Sequence, residues 1–280
     1  MLLIDTIYRM KCFLKSFLYF TSFFLITNTC KALDVYQFVD SRAYSMGNTL
    51  SILPGFTNPA SYGFMSSRHV SLQYVNRYGV KELSSYAGMV NLPNKYLDGG
   101  LYVSRFGFDA YHETMVGLNV YKKLSRLISL GIRVNYLNLH YSERESNKSV
   151  ITGDIGVLFS PLEHLNLSVL ALNPLNIEYK VGEEKVEIPI VLSVGASYEI
   201  AEYFLITGEV EKDFMHPVVC KFGMEYNPIK QLSVRAGMSG KPFVPSFGTG
   251  VHLGQFTVDI AFSKHPVLGF RSCCGLQFNF

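Results

Sequence analysis

The sequence predicts an all-β protein, a transmembrane antiparallel β-barrel of about 14 strands. Composition is the first reason: of 280 residues, 48% are hydrophobic and 14% aromatic, but only 17% are charged, against roughly 25% in ordinary soluble domains. Apolar and polar residues alternate through most of the chain, and this period of two indicates strands with two different faces. The connections between the alternating stretches also differ in length in a regular order, as they do in outer-membrane barrels.

A secretory signal peptide is predicted over residues 1–32. It has a basic start at Lys11, an apolar run over 17–27 and a small-residue cleavage pattern that ends at Ala32. The apolar run is shorter than the roughly 20 residues that a membrane-spanning helix needs, which favours cleavage over anchoring. Translation can begin at the first methionine or at Met10, and the sequence leaves both open.

Fourteen candidate strands follow, and they make 69–280 the predicted barrel domain. Each is an alternating stretch bounded by Gly, Pro, Asn or Asp. An even number is expected of a closed bacterial membrane barrel. The candidates are 69–77, 82–92, 97–107, 112–122, 127–140, 149–160, 164–174, 189–199, 202–212, 217–227, 230–239, 244–253, 255–264 and 269–280.

The connections divide into two groups by their position in the chain. Counted from the first strand, the even-numbered connections are tight, from NLPNKY to HLGQ, while most odd-numbered ones are longer, such as YSERESNKS and NPLNIEYKVGEEKVEIP. Outer-membrane barrels have short periplasmic turns and longer outer loops, whereas a soluble β-sandwich has no reason to separate its loops in this way. The connections therefore favour the membrane barrel.

The alternation also predicts which side chains face lipid. In the stretch FTVDIAF, Phe256 and Val258 share one face, while Thr257 and Asp259 share the other. A charge at the lipid midplane costs about 2–4 kcal/mol, so charged strand residues should face the lumen and pair across strands. This predicts a lumen charge network of Arg133, Asp154, Glu209, Lys221, Glu225, Arg235 and Asp259.

Residues suited to catalysis, metals or cofactors form no recognisable pattern. Glu209 and Glu225 could act as an acid–base pair, but carboxylates among charges of both signs are more often a structural network. The seven histidines show no metal-ligand spacing. We therefore predict no catalytic, metal or cofactor site and no enzyme, with one open alternative, a membrane lipid hydrolase that uses His140 with Ser142 or Ser146. The net charge of +3 argues against a nucleic-acid partner.

Several segments resemble the FadL-type and PorV/PorQ-type (type IX secretion-associated) outer-membrane families. The stretch SRAYSMGNTLSILPGFTNPASYGF has the A-MGG and NPA elements of those families, and FGMEYNPIKQLSVRAGM and FGTGVHLGQFTVDIAFSKHPVLG are similar to their closing strands. The resemblance implies a fourteen-stranded barrel in which residues 33–68 fold inside as a plug. Asn48 departs from the family pattern, because it stands in place of a second glycine. The plug or gate motif implied by the resemblance is Met46, Gly47, Asn58, Pro59 and Ala60.

The resemblance leaves two classes of function open. In the first, the barrel is a passive channel that passes small hydrophobic molecules through a lateral gap in its wall, as FadL-type proteins are thought to do. In the second, it is a secretion or assembly accessory that docks protein partners and conducts nothing. A continuous apolar path from Phe56 and Phe64 to the barrel wall favours the channel, and a lumen closed by charges favours docking.

The last candidate strand carries a predicted insertion signal. It alternates up to a terminal aromatic residue and must pair before the barrel can close, and it resembles the signal read by the barrel-insertion machinery. The expected partners are therefore membrane lipid and that machinery, with a small apolar ligand or secretion-system proteins as further candidates. The expected location is the outer membrane of a Gram-negative cell. The signal residues are Leu276, Phe278 and Phe280.

Overall fold

A computed structural model describes residues 38–64, 68–94, 98–142, 146–181 and 184–280. The predicted signal peptide and the first residues of the predicted plug lie outside the described residues. Within those ranges, no helix is both long enough and apolar enough to cross a membrane.

Fourteen antiparallel strands form one closed barrel, which confirms the predicted fold class and strand number. Each pairs with its neighbours in the chain, except that β7 pairs with β10, and the barrel closes between β1 and β16. Two short strands, β8 and β9, form a separate hairpin that the sequence does not predict. In chain order the strands are β1 (His69–Arg77), β2 (Val80–Leu92), β3 (Asp98–Phe108), β4 (Tyr111–Lys123), β5 (Ile128–Tyr141), β6 (Ser146–Leu162), β7 (Leu165–Leu172), β8 (Glu178–Val181), β9 (Glu184–Glu187), β10 (Val191–Ala201), β11 (Phe204–Asp213), β12 (Val219–Ile229), β13 (Leu232–Ser239), β14 (Val244–Leu253), β15 (Phe256–His265) and β16 (Gly269–Asn279).

The connections are shorter than the sequence predicts, because the strands continue into the predicted loops. Most of YSERESNKS belongs to β5, which ends at Tyr141, and to β6, which begins at Ser146. β6 is 17 residues long, well beyond the roughly 9–11 residues that cross a bilayer. The expected contrast in loop length is wrong for the first four connections, where the odd-numbered ones have 2 residues and the even-numbered ones have 5 and 4. From the fifth connection onward it holds, because the odd-numbered connections have 3–18 residues and the even-numbered ones have 2, and the longest is the one between β7 and β10, residues 173–190.

The two ends of the barrel can be told apart by what they carry. His69, the first residue of β1, pairs with Asn279 of the last strand, so both ends of the barrel sequence lie together. We call this the terminal end. The strands alternate in direction, which puts the connection 173–190 at the opposite end. We call that the loop end.

Burial follows the predicted alternation of faces. Along β5, every second side chain from Ile128 to Tyr136 is exposed on the outside of the wall, and those between them are buried. On β15 the same holds for Val258, which is exposed, and Asp259, which is buried. The predicted register is therefore confirmed on these strands, and the outer face is apolar because it faces no water in a membrane.

Candidate functional site in the plugged lumen

Residues 38–64 lie inside the barrel and follow its inner wall. They begin with a short helix, α1 (Ser41–Ser45), whose N-cap Asp40 accepts a hydrogen bond from the backbone N–H of Ala43. From there the segment contacts the inward faces of β16, β14, β13 and β12, then β10, and then β6 and β5, in that order. We call residues 38–64 the plug. The boundaries 33 and 68 stay predictions.

The plug contacts the wall at inward-facing glycines. A β-carbon at Gly237 would collide with the backbone of Met46 and Gly47, and one at Gly131 would collide with the backbone of Pro59. Glycine inside a strand commonly marks such a close approach of another backbone. The plug is therefore seated on a belt of glycines, which are Gly131, Gly156, Gly195, Gly223, Gly237, Gly248 and Gly275.

The MG part of the motif lies against β12 to β14. Met46 is fully buried, and Gly47 has a positive φ of 69° and donates its backbone N–H to Ser246 Oγ (2.9 Å). Asn48 also has a positive φ, 64°, a conformation that Asn tolerates better than most residues. This tolerance explains how Asn can replace the second glycine of the family pattern.

The NPA part of the motif forms a turn against β4 and β5. The side chain of Asn58 accepts a hydrogen bond from the backbone N–H of Ala60 (2.9 Å). The Pro59 carbonyl accepts a hydrogen bond from Asn119 Nδ2 (3.2 Å), and the Ala60 carbonyl accepts one from Ser129 Oγ (3.2 Å). Both parts of the motif therefore fasten the plug to the wall, and a role in gating stays a prediction.

The structure brings all seven residues of the predicted charge network into the lumen, where they are buried. A buried charge is tolerated only when it is paired, and here the partners are directly opposite each other on neighbouring strands. Lys221 binds Glu211 as well (2.6 Å), and Arg235 also contacts Asp259. The cross-strand pairs are Arg133–Asp154 (2.6 Å), Lys221–Glu209 (3.0 Å) and Arg235–Glu225 (2.6 Å).

Members of this network also hold the plug. Glu225 accepts two hydrogen bonds from the Arg42 side chain of α1, each 2.8 Å. Glu209 accepts one from the Ser51 backbone N–H (2.7 Å) and one from its hydroxyl (2.6 Å). The sequence does not predict Arg42 or Ser51 as site residues, because their partners lie 183 and 158 positions away in the chain and no local pattern connects them.

Two ionisable groups of the plug have shifted pKa values. Burial raises the pKa of Asp40, and this is opposed by the hydrogen bond from Ala43 and by the charge of Arg42. Burial lowers the pKa of Arg42, but the neighbouring Glu225 carboxylate outweighs it, so the Arg42 pKa is raised. Arg42 therefore stays charged, and its ion pair with Glu225 persists through the physiological pH range.

Another part of the plug packs into an apolar cluster. The ring of Phe56 stacks on Tyr102, with centroids 5.1 Å apart, and Phe38 lies 5.5 Å from the same tyrosine. Phe64 lies apart from this cluster, with Lys123 Nζ 5.0 Å from its ring centroid. The apolar cluster therefore includes Phe56 but not Phe64. The cluster continues with Met115, Leu137, Leu139, Leu170 and Leu172 on the wall and with Ile188 in the connection 173–190.

A cavity of about 400 Å³ lies on the loop-end side of the plug. Its apolar lining includes Phe38, Val39 and Leu50 of the plug. Leu172 and Val191 line it from the wall, together with charged residues that include Glu209, Glu211 and Asp213. We call it the loop-end cavity.

A second cavity, of about 590 Å³, lies on the terminal-end side. Here the plug contributes Asp40 and Arg42, and the wall contributes polar groups such as Glu225, Arg235 and His252. The two cavities share none of the lining residues that the structure describes. The plug therefore separates a partly apolar space at the loop end from a polar one at the terminal end.

The barrel wall is incomplete at the loop end between β6 and β7. β7 ends at Leu172, which pairs with Asp154 halfway along β6, while β6 continues to Ser146. Among the described strands, none is hydrogen-bonded to residues 146–153 on that side, although β8 of the separate hairpin contacts β6. We call this gap the β6 notch. It lies next to Leu172, and Leu172 lines the loop-end cavity from inside.

Of the residues in the hydrolase alternative, His140 lies in β5, whereas the side chain of Ser146 lies outside the described residues. His140 stacks on His112, its register partner on β4, with ring centroids 4.7 Å apart. In the lumen, Ser233 Oγ lies 2.9 Å from His252 Nε2, but Nδ1 of that histidine contacts the Thr257 hydroxyl (3.2 Å) and not a carboxylate. A hydrolytic triad needs an acid to orient the histidine.

No protein-family model and no curated protein matches the chain, but solved structures do. It is similar to the CymD monoaromatic hydrocarbon channel, with a TM-score of 0.67 and 9% identity over 89% of this chain and 99% of that chain. It is similar to the Pseudomonas putida toluene transporter TodX, with a TM-score of 0.63 and 11% identity over 89% and 97%. A Pseudomonas aeruginosa FadL homologue gives a TM-score of 0.57 and 12% identity over 86% and 97%.

The chain has the fold of these FadL-type barrels. At 9–12% identity the similarity establishes the fold alone. It agrees with the FadL-type part of the sequence resemblance, and the PorV/PorQ-type part is not shown by these structures.

Proposed function

We propose that the protein is a passive outer-membrane channel for small hydrophobic molecules. The observation that carries the proposal is the loop-end cavity, whose volume of about 400 Å³ falls within the roughly 300–1,000 Å³ of small-molecule sites. CymD and TodX are described as monoaromatic hydrocarbon channels. Their fold supports the proposal, and the cavity is a reason that does not depend on them.

The proposed route leaves the barrel sideways. Below the loop-end cavity, an apolar molecule would have to pass the plug and the buried ion pairs of Glu209 and Glu225. The β6 notch offers a lateral path from Leu172 inside to Ile151, which is 61% exposed on the outer face; the buried Asp154 beside Leu172 is paired with Arg133. Hydrophobic molecules therefore move from the cavity through the notch into the bilayer.

The apolar outer face of the barrel wall supports the proposed location in the outer membrane. Its outer face carries large exposed apolar side chains along all fourteen strands, and a contiguous apolar surface of this extent would aggregate in water. The predicted signal peptide would deliver the chain across the inner membrane. Recovery of the mature chain as a soluble periplasmic monomer would contradict this part of the proposal.

Two neighbouring residues of β10 supply the test of transport. Val191 lines the loop-end cavity, while Leu192 is 43% exposed on the outer face. In a Gram-negative host without a hydrocarbon channel of its own, uptake of radiolabelled toluene should rise with the wild-type barrel. Val191→Trp should return uptake to the level of the empty host, and Leu192→Trp should retain it. Equal uptake by both variants would exclude the cavity from the route.

The docking alternative stays a prediction from the resemblance. The same strains distinguish it, because a docking protein would not change toluene uptake above that of the empty host. Stoichiometric recovery of one protein partner with a barrel that does not raise uptake would replace the channel proposal with the docking one.

A further inference from the structure

The outer wall of the barrel carries a groove that no transport step uses. It crosses β1, β2, β3, β15 and β16 and has a volume of about 770 Å³. Gly88 leaves this part of the wall without a side chain, and a β-carbon added there would lie 3.4 Å from Leu72. The outward-facing lining is Leu72, Tyr74, Tyr86, Gly88, Val103, Val258, Cys274 and Leu276.

A cation stands at the edge of this apolar groove. Arg105 lines the groove, and its side chain is exposed on the outer face of β3. It forms no ion pair or side-chain hydrogen bond with the part of the chain that the structure describes. Tyr86 of β2 is the register partner of Arg105. The outward carboxylate of Glu82 lies four residues from Tyr86, which is about 13 Å along the strand, so it does not reach Arg105. An outward charge on a membrane barrel is unfavourable unless it meets water or an anion.

The surrounding aromatic residues indicate the height of Arg105 in the membrane. Tyr86 is its register partner, and Tyr74 lies opposite Tyr86 with ring centroids 5.1 Å apart. Tyrosines on the outer face of a barrel are typical of the membrane interface. β3 ends at Phe108, three residues further on. Arg105 is therefore at the level of lipid head groups in the loop-end leaflet.

We propose that this groove binds one anionic lipid of the loop-end leaflet, with its phosphate on Arg105 and an acyl chain along the groove towards Leu276. A guanidinium binds phosphate oxygens through two parallel hydrogen bonds, and the apolar lining suits an acyl chain. The inference rests on the proposed membrane location but not on transport.

A second outer groove provides an internal comparison. It has a volume of about 500 Å³ and crosses β6, β7, β10 and β11. Its outward lining contains no cation, so it can accommodate an acyl chain but cannot select an anionic head group. That lining is Val157, Phe159, Leu167, Val169, Val194, Ala196, Gly208, Val210 and Phe222.

The test uses the refolded barrel in nanodiscs of phosphatidylcholine that contain a minor share of phosphatidylglycerol, with bound lipid counted by native mass spectrometry. Arg105→Gln removes the cation, and Gly88→Leu fills the groove. Lys264→Gln removes another exposed outer-face cation, on β15. Gly208→Leu fills the second groove, where an added β-carbon would lie 3.8 Å from Phe222. All four changes are on the lipid side of the wall, where folding tolerates them best.

The wild type should retain one phosphatidylglycerol in preference to phosphatidylcholine. Loss of a charge-assisted pair in Arg105→Gln should reduce this retention by about tenfold, and Gly88→Leu should also reduce it, while both control variants keep it. Undiminished retention by Arg105→Gln would overturn the proposal, as would equal loss in Lys264→Gln. Toluene uptake is measured separately in cells, so failure of this site and failure of the transport proposal are distinguishable.

Discussion

The inner and outer faces of the barrel wall follow opposite rules, although they belong to the same strands. On β5 the fully buried Arg133 stands between Ile132 and Val134, which are 59% and 52% exposed. In a water-soluble protein these positions would be reversed. The outer face therefore suits a lipid environment, whereas polar contacts between the wall and the plug stabilise the interior of the barrel.

The largest effect is expected on the inner face, at Arg133. Its partner Asp154 is completely buried, and removing one member of a buried ion pair typically costs about 3–5 kcal/mol. Arg133→Met should therefore lower the free energy of unfolding by about that amount, measured by urea titration of the refolded barrel in detergent. Ile132→Met, one residue away on the outer face, is the control and should change it little. Similar losses for both variants would contradict the comparison of the two faces.

A second prediction compares adjacent residues on opposite faces of β15. Val258 faces outward and Thr257 faces the terminal-end cavity beside Asp259. Val258→Arg places a charge in lipid and should cost about 2–4 kcal/mol, whereas Thr257→Arg finds water and a carboxylate. We expect a much lower yield of heat-modifiable folded barrel for Val258→Arg. Equal yields would mean that the register is displaced by one residue, because such a shift exchanges the faces.

The strands and their faces could be predicted from the sequence because they depend on a local period of two. The alternation of Phe256, Thr257 and Val258 is visible in three consecutive letters. A charge on the lipid face costs most near the middle of the membrane, so the inward placement of Arg133 and Asp154 also followed without knowledge of their neighbours.

The contacts of the plug could not be predicted in this way, because they join residues far apart in the chain. Arg42 binds Glu225 across 183 positions. The inward glycines of the belt have a recognisable role only once the position of the plug is known. The hairpin β8–β9 was missed because the segment 173–190 contains turn-forming residues that indicate a loop. The β6 notch depends on the unequal lengths of β6 and β7, and element ends are the least predictable feature of a strand pattern.

A third prediction tests how the charges of the inner face hold the plug. Glu225→Gln removes the carboxylate that accepts hydrogen bonds from Arg42 of the plug and Arg235 of the wall. Hydrogen bonds to charged groups contribute about 1.5–3 kcal/mol, so the plug should loosen while the barrel stays folded. Single-channel conductance in planar bilayers should rise above that of the wild type. The outer-face variant Met224→Gln is the neighbouring control, and an equal rise there would mean that the Arg42–Glu225 pair does not close the lumen.

The smallest effect on stability is expected on the outer face at Phe280. Its ring is 54% exposed and stacks on Phe278 with centroids 6.0 Å apart, a contact of about 0.5–1.5 kcal/mol. Its backbone N–H donates to the Arg68 carbonyl (3.0 Å) where the barrel closes, and this bond survives in Phe280→Ser. The variant refolded in detergent should therefore melt only slightly below the wild type.

Insertion in cells should respond to Phe280→Ser far more strongly, if the terminal aromatic residue is read by the insertion machinery before the last strand pairs. Phe256→Ser is the matched control, because Phe256 is 48% exposed at the same end of the barrel and also contacts Phe278. The measurement is the fraction of folded barrel in outer membranes for each variant. If the two variants insert equally well, Phe280 acts as an interfacial anchor like any other aromatic residue of the outer face, and the insertion-signal hypothesis is wrong.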